Sequence, residues 1–153
     1  MKNKKTARII VIILIAIAVV FLGWQFSKNS FKNNNENIIP NIKILGNASD
    51  LVSFSISPGQ EVSGILTATG SVRGAYFFEA NIQVNILDSD KKVLRAGYGN
   101  AKTDWMTSEP VGFETILDFT KLPKGPAYIE IHNDNASGLP ENDKNILIPI
   151  IIK

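Results

Sequence analysis

Two hydrophobic patterns divide the chain. From Ile9 to Trp24 (IIVIILIAIAVVFLGW) the residues are apolar without a break, whereas from Leu51 onward apolar and polar positions alternate in short runs. A period of two puts successive side chains on opposite faces of a strand, one buried and one wet. That pattern predicts strands over residues 52–56, 66–72, 79–87, 93–99, 113–119, 127–133 and 145–152. Within 79–87, Ala80, Ile82, Val84 and Ile86 fall on one face, with Asn81, Gln83 and Asn85 on the other. The following strand is expected to turn Leu94, Ala96 and Tyr98 inward, and Phe113, Thr115, Leu117 and Phe119 share a face in the next. Ser57-Pro58-Gly59-Gln60, Asp88-Ser89-Asp90-Lys91 and Pro123-Lys124-Gly125-Pro126 carry turn chemistry between the runs. Pro149 has no N–H to give a ladder, so the last strand is expected at an edge or a bulge.

Seven short strands in about 100 residues predict an all-β fold, an immunoglobulin-like two-sheet sandwich over 51–153. If consecutive strands alternate in direction, the loops 73–78, 100–112 and 134–144 gather at one end. The start of the domain falls at that same end, facing the membrane. These loops carry Tyr76, Phe77, Trp105 and Met106, side chains that are costly to expose and enriched in binding hot spots. For Trp105 two roles stay open: a lid folded onto the edge of the sandwich with Met106 beneath it, or a contact surface.

The apolar run is 16 residues long, or roughly 24 Å of helix. Ala7, a snorkelling Arg8, Gln25 and Phe26 extend it toward the hydrocarbon core of about 30 Å, and Trp24 suits the interface. The pattern predicts a cytoplasmic basic tail over 1–8, a transmembrane signal anchor over 9–26 and an Asn-rich linker over 27–50, in which residues 38–40 and 42–45 are apolar enough for a short leading strand. The domain at 51–153 would then be extracytoplasmic, on a single-pass protein of the cytoplasmic membrane. A cleaved signal peptide competes with this reading. It needs a shorter apolar stretch and a small-residue cleavage site, but Ala16-Ile17-Ala18 lies inside the run and Gly23-Trp24-Gln25 is a poor signal.

Charge changes the picture once it is divided. Lys2, Lys4, Lys5 and Arg8 precede the apolar run, leaving 12 basic against 14 acidic residues in the rest. With no positive excess to neutralise phosphates, the domain is not expected to bind nucleic acid. The chain has no cysteine and one histidine, so disulfides, thiolate nucleophiles and the usual zinc sets are excluded. His132 stands on the polar face of its strand with Tyr128 and Glu130, without the partners of a catalytic base. No small-molecule substrate, cofactor or catalytic group is inferred. Asp88, Asp90, Asp134, Glu141 and Asp143 offer hard oxygen ligands, but the residues around them are also turn formers, and no calcium loop motif occurs.

Four blocks together carry a resemblance: FFEANIQVNILDSDKKVL (77–94), TDWM (103–106), GFETILDF (112–119) and IEIHNDNASGLPENDKNILIPI (129–150). Their order resembles the Gmad-type immunoglobulin-like domain of bacterial spore germination proteins. Glu79, Asn81, Asp104, Trp105 and Met106 fall on matching motif positions. The resemblance implies a β-sandwich in an extracytoplasmic setting and brings no catalytic residues. With Tyr76 and Phe77, these five form the candidate binding set, facing a protein or glycan partner in the cell envelope. The alternative is a structural subunit or spacer in an envelope complex, recognised along an edge strand such as 145–152.

Overall fold

The computed structural model describes residues 42–153. The basic tail, the apolar run and most of the linker lie outside the described residues, and so does the expectation of a membrane anchor. Among the described residues no helix is long and apolar enough to cross a membrane.

The fold is all-β. Its strands are β1 (Leu45–Gly46), β2 (Leu51–Phe54), β3 (Glu61–Val62), β4 (Ile65–Arg73), β5 (Asn81–Asp88), β6 (Val93–Arg95), β7 (Tyr98–Ala101), β8 (Pro110–Asp118), β9 (Gly125–His132) and β10 (Asn145–Ile152). They join one curled sheet in the order β1-β10-β9-β5-β7-β8-β4-β2, with β3 attached to β10 and β6 to β5. Every pairing is antiparallel except β3 on β10. The alternating faces fill the interior of the curl: Val111, Phe113, Leu117 and Phe119 on one side, Ile82, Val84, Ile86, Ile129, Ile131, Ile146 and Ile148 on the other. Phe113 holds the centre, stacked on Phe54 at 6.1 Å between ring centroids and edge-on to Phe77 at 6.3 Å. Gly70 makes that stack possible, because a Cβ there would come within 2.8 Å of both Phe113 and Phe54 rings.

Two expectations are corrected here. The sequence predicts about seven strands in two sheets, whereas ten strands form one continuous sheet. The join is β7, which pairs with β5 through Asn81↔Asn100 and Gln83↔Tyr98 and with β8 through Gly99↔Thr115. The predicted 93–99 strand breaks at Ala96-Gly97, where the Gly97 carbonyl accepts from the Val84 N–H at 2.9 Å. That irregularity shifts the alternation, so Tyr98 faces outward and is 65% exposed rather than inward.

The second correction concerns β10, which is not an edge. β9 pairs along its whole length on one side, and its other side is taken by β1 at Ile146–Leu147 and by β3 at Ile151–Ile152. Pro149 sits at the changeover between those two partners. N–H and C=O groups point to alternate sides along a strand. Because the Pro149 carbonyl accepts from Gly59 at 2.7 Å and the Ile151 N–H donates to Gln60 at 3.0 Å, the missing N–H of Pro149 falls on that same side, between β1 and β3. No bond to β9 is lost.

The start of the domain lies at the expected end. Leu51 does stand at the end of the fold that holds the predicted loop cluster, opposite Val72. Ile42, however, packs beside Gly59, which bonds to Pro149 further along β10. From there the chain runs antiparallel to β10 as far as Asn47, whose N–H donates to Asn145. The chain thus reaches the loop end at Asn47, just before the domain starts at Leu51.

Candidate functional site

The loops that follow β4, β7 and β9 do meet at one end. Gly74 donates its N–H to Glu109 at 3.0 Å, and a Cβ at Gly74 would lie 1.9 Å from the Thr107 carbonyl oxygen. Only glycine lets the two backbones approach that closely. Asp134, at the start of the third loop, lines a groove with Phe78, Glu79 and Asn81 from the first.

The seven residues singled out from the sequence separate into three groups. Tyr76 and Phe77 are core, at 0% and 6% exposure, which corrects their assignment to a contact surface. Tyr76 forms part of a single 3-10 turn (Gly74–Tyr76) that tucks its ring inward, and its hydroxyl donates to Asp50 at 3.3 Å. Burial, then the Asp50 charge and that hydrogen bond, push the Tyr76 phenol far above its ordinary value. Asp104, Trp105 and Met106 make a second group. The Asp104 carboxylate accepts the Met106 N–H at 3.1 Å, closing a short Asx turn. Trp105 is half-buried and packs against the core, whereas Met106 is 75% exposed. Of the two roles left open for Trp105 the lid fits its packing, whereas Met106, expected beneath it, is exposed instead.

Glu79 and Asn81 form the third group and reach the groove. Phe78 and Asn81 exchange both backbone hydrogen bonds at 2.9 Å, so Glu79 and Ala80 are the central pair of a two-residue turn. Both have positive φ, 49° and 63°, the backbone of a type I′ turn. Asn-Gly or Asp-Gly is the favoured pair there. A residue with a side chain held in that region costs on the order of 1–3 kcal/mol. The Asn81 side-chain amide donates to the Glu79 carbonyl at 2.9 Å and helps hold the turn.

The turn sets Phe78 and Glu79 beside Tyr98 and Asp134 around a shallow open groove of about 390 Å³, with Asn81 completing its lining. Phe78 is 47% exposed. Tyr98 stands across β7 from Gln83 of β5, which pairs in turn with His132 of β9. A polar outer-face row therefore runs away from the groove. His132 is half-buried rather than fully solvated, and its Nδ1 is buried without a hydrogen-bond partner among the described residues.

The sequence reading misses Phe78 and Tyr98, the two aromatic walls. Both left a signal. In the Phe77-Phe78 pair only one side chain can face inward if the backbone is extended. Gly97, inside an alternating run, marks the slip that turns Tyr98 out. Asp134 and its neighbours are turn formers in the way their composition suggests. Asn135 donates to the Leu139 carbonyl at 2.7 Å and to the Asp143 carboxylate at 2.6 Å, and Ser137 donates to Asn135 at 2.5 Å.

Residues 57–138 match a family described as the immunoglobulin-like domain of bacterial spore germination. The matched stretch contains every residue that lines the groove. Comparison with curated proteins and with solved structures gave no match.

Proposed function

This chain belongs to the family of the immunoglobulin-like domain of bacterial spore germination, and on that premise we propose that it is a binding module that captures an envelope partner through its loop end. The observation that carries the reading is the end itself. Three loops converge there, Phe78, Tyr98 and Met106 stand exposed, and a strained Glu79-Ala80 turn borders a groove open to solvent. Large apolar groups displayed beside a rigid, strained turn are characteristic of recognition surfaces.

The finer parts of the proposal rest on the sequence. The sandwich is immunoglobulin-like, held outside the cytoplasmic membrane by the Ile9–Trp24 run, and works in the cell envelope without catalysing a reaction. Recognition along 145–152 is disfavoured, since β10 is flanked by β9 on one side and by β1 and β3 on the other. The test is site-specific photocrosslinking in the full chain, expressed in a bacterial host and assayed in intact cells. A crosslinker at Met106 is expected to trap a discrete partner, while one at Lys124, across the fold in the β8–β9 turn, traps none. Equal trapping at both positions, or at neither, would overturn the loop-end reading. Protection of the domain from externally added protease would overturn its extracytoplasmic placement.

A further inference from the structure

The chemistry of the groove is one-sided. Glu79 and Asp134 bring two carboxylates to its lining, and among the described residues no lysine or arginine lines it. Among the described residues neither carboxylate is in an ion pair, although Asp50, Asp118, Glu114 and Glu61 each have a basic partner. Asn81 uses its amide N–H on the Glu79 carbonyl, leaving its side-chain oxygen as an acceptor. Two exposed rings, Phe78 and Tyr98, flank these acceptors. Carboxylates, a free amide oxygen and aromatic faces all present negative potential, and nothing in the lining offsets it.

We propose that this groove is an ammonium site, filled by a lysine side chain of a protein partner. The charged end sits between Glu79 and Asp134 and donates to them and to Asn81. The aliphatic stem lies against Phe78 and Tyr98. A lysine ammonium carries three donors and no acceptor, the complement of this lining, and it gains from an aromatic face as well as from opposite charge. A neutral glycan would leave both carboxylates of the lining without a counter-charge, and an anionic one would be repelled by them. The strained turn fits the same reading. It fixes Glu79 and Phe78 on the groove before the ligand arrives, so little ordering is left for the binding step. This inference rests on the loop-end reading and adds the class of group recognised there.

The test uses the full chain in detergent micelles, with backbone amide shifts of Glu79, Asn81, Tyr98 and Asp134 followed by NMR. Three probes are titrated: a blocked Gly-Lys-Gly peptide, the same peptide acetylated on the lysine side chain, and a neutral N-acetylglucosamine oligomer. Saturable shifts at the groove are expected with the unmodified peptide. Acetylation is expected to weaken binding at least about tenfold, because it removes the charge. Glu79→Gln and Asp134→Asn are each expected to weaken it about fivefold, and Tyr98→Ala about threefold. All three positions are exposed, so these variants keep the fold. Equal binding of the acetylated peptide, or groove shifts with the oligomer alone, overturns the ammonium assignment. So does the absence of shifts at millimolar peptide. If the Met106 crosslink still forms in that case, the loop-end module stands and only the ligand class falls.

Discussion

Tyr76 donates its hydroxyl hydrogen to Asp50 at 3.3 Å, and Asp50 also pairs with Arg73 at 3.4 Å. The contact ties the turn after β4 to the single 3-10 turn at Ala48–Asp50, across 26 residues of chain. It fixes the base on which the Phe78–Asn81 turn is built, which is why a fully buried tyrosine matters to an exposed groove.

Tyr76→Phe keeps the ring and loses the hydrogen bond. The expected cost is about 0.5–1.5 kcal/mol in chemical denaturation, against about 3–5 kcal/mol for Tyr76→Ala. The raised phenol also sets a pH dependence. A group whose folded value lies above its unfolded value stabilises the fold below the unfolded one, near 10 for tyrosine. That contribution is lost as pH rises beyond about 10 toward the folded value. The wild type should therefore lose stability more steeply than Tyr76→Phe above that pH. Parallel curves would assign the alkaline loss to other groups.

Ala80 is the cleanest test of strain in the groove turn. Ala80→Gly removes the side chain from a φ of 63° and is expected to raise stability by about 0.5–1 kcal/mol, the relief exceeding the entropy lost to a freer unfolded chain. Ala80→Val should cost about 1–2 kcal/mol, because a β-branched residue tolerates that backbone least. Thermal melts of the two variants beside the wild type give the order directly.

Trp105 and Met106 should behave oppositely although they are neighbours. Trp105→Ala uncovers core and is expected to cost about 2–3 kcal/mol. Met106→Lys should stay within about 0.5 kcal/mol of wild type, since Met106 is 75% exposed. With the photocrosslinker moved to the exposed Thr103 of the same loop, it is instead expected to abolish trapping of the partner. A large loss of stability in Met106→Lys would mean that the side chain packs rather than displays.

Arg95 closes the gap where β6 and the end of β8 do not pair. Its guanidinium donates to the Asp118 carbonyl at 2.7 Å and the Thr120 carbonyl at 3.1 Å, and pairs with the Asp118 carboxylate. Arg95→Met is expected to cost about 1–2 kcal/mol, mostly through the two carbonyls, since the exposed ion pair is screened. Hydrogen bonds from Thr120, with help from Arg95, hold the Asp118 carboxyl below its ordinary 3.8. A depressed carboxylate stabilises the fold above its unfolded value, and that contribution is lost as pH falls through the folded one. Asp118→Asn should accordingly flatten the acid limb of the stability curve below about pH 4.

Much of this fold was legible in the order of residues. The alternation in 113–119 and 127–133 reports a face against a core, and Phe113, Thr115, Leu117, Ile129 and Ile131 are buried as the period requires. The three-loop end was legible as well, because antiparallel strands joined in sequence must alternate. Of the candidate residues, Glu79 and Asn81 reach the groove while Tyr76 and Phe77 do not. Composition marks an aromatic as costly to expose, but which of two neighbours faces inward depends on one local turn.

The sequence alone determined the class of structure, because period-two patterning and turn chemistry are local and survive any arrangement of the strands. It also determined that the chain beyond Arg8 has no excess of basic over acidic residues and that there is no cysteine for thiol chemistry. Tertiary structure decided the rest. The slip at Gly97 that joins two expected sheets and turns Tyr98 outward depends on hydrogen bonds to β5. β10 is interior because β1 and β3, each two residues long and invisible as a periodic run, take its remaining side. The groove brings Phe78, Tyr98 and Asp134 together from three separate stretches. Such a site is a property of register between distant strands, and no periodicity along a chain encodes which strands will meet.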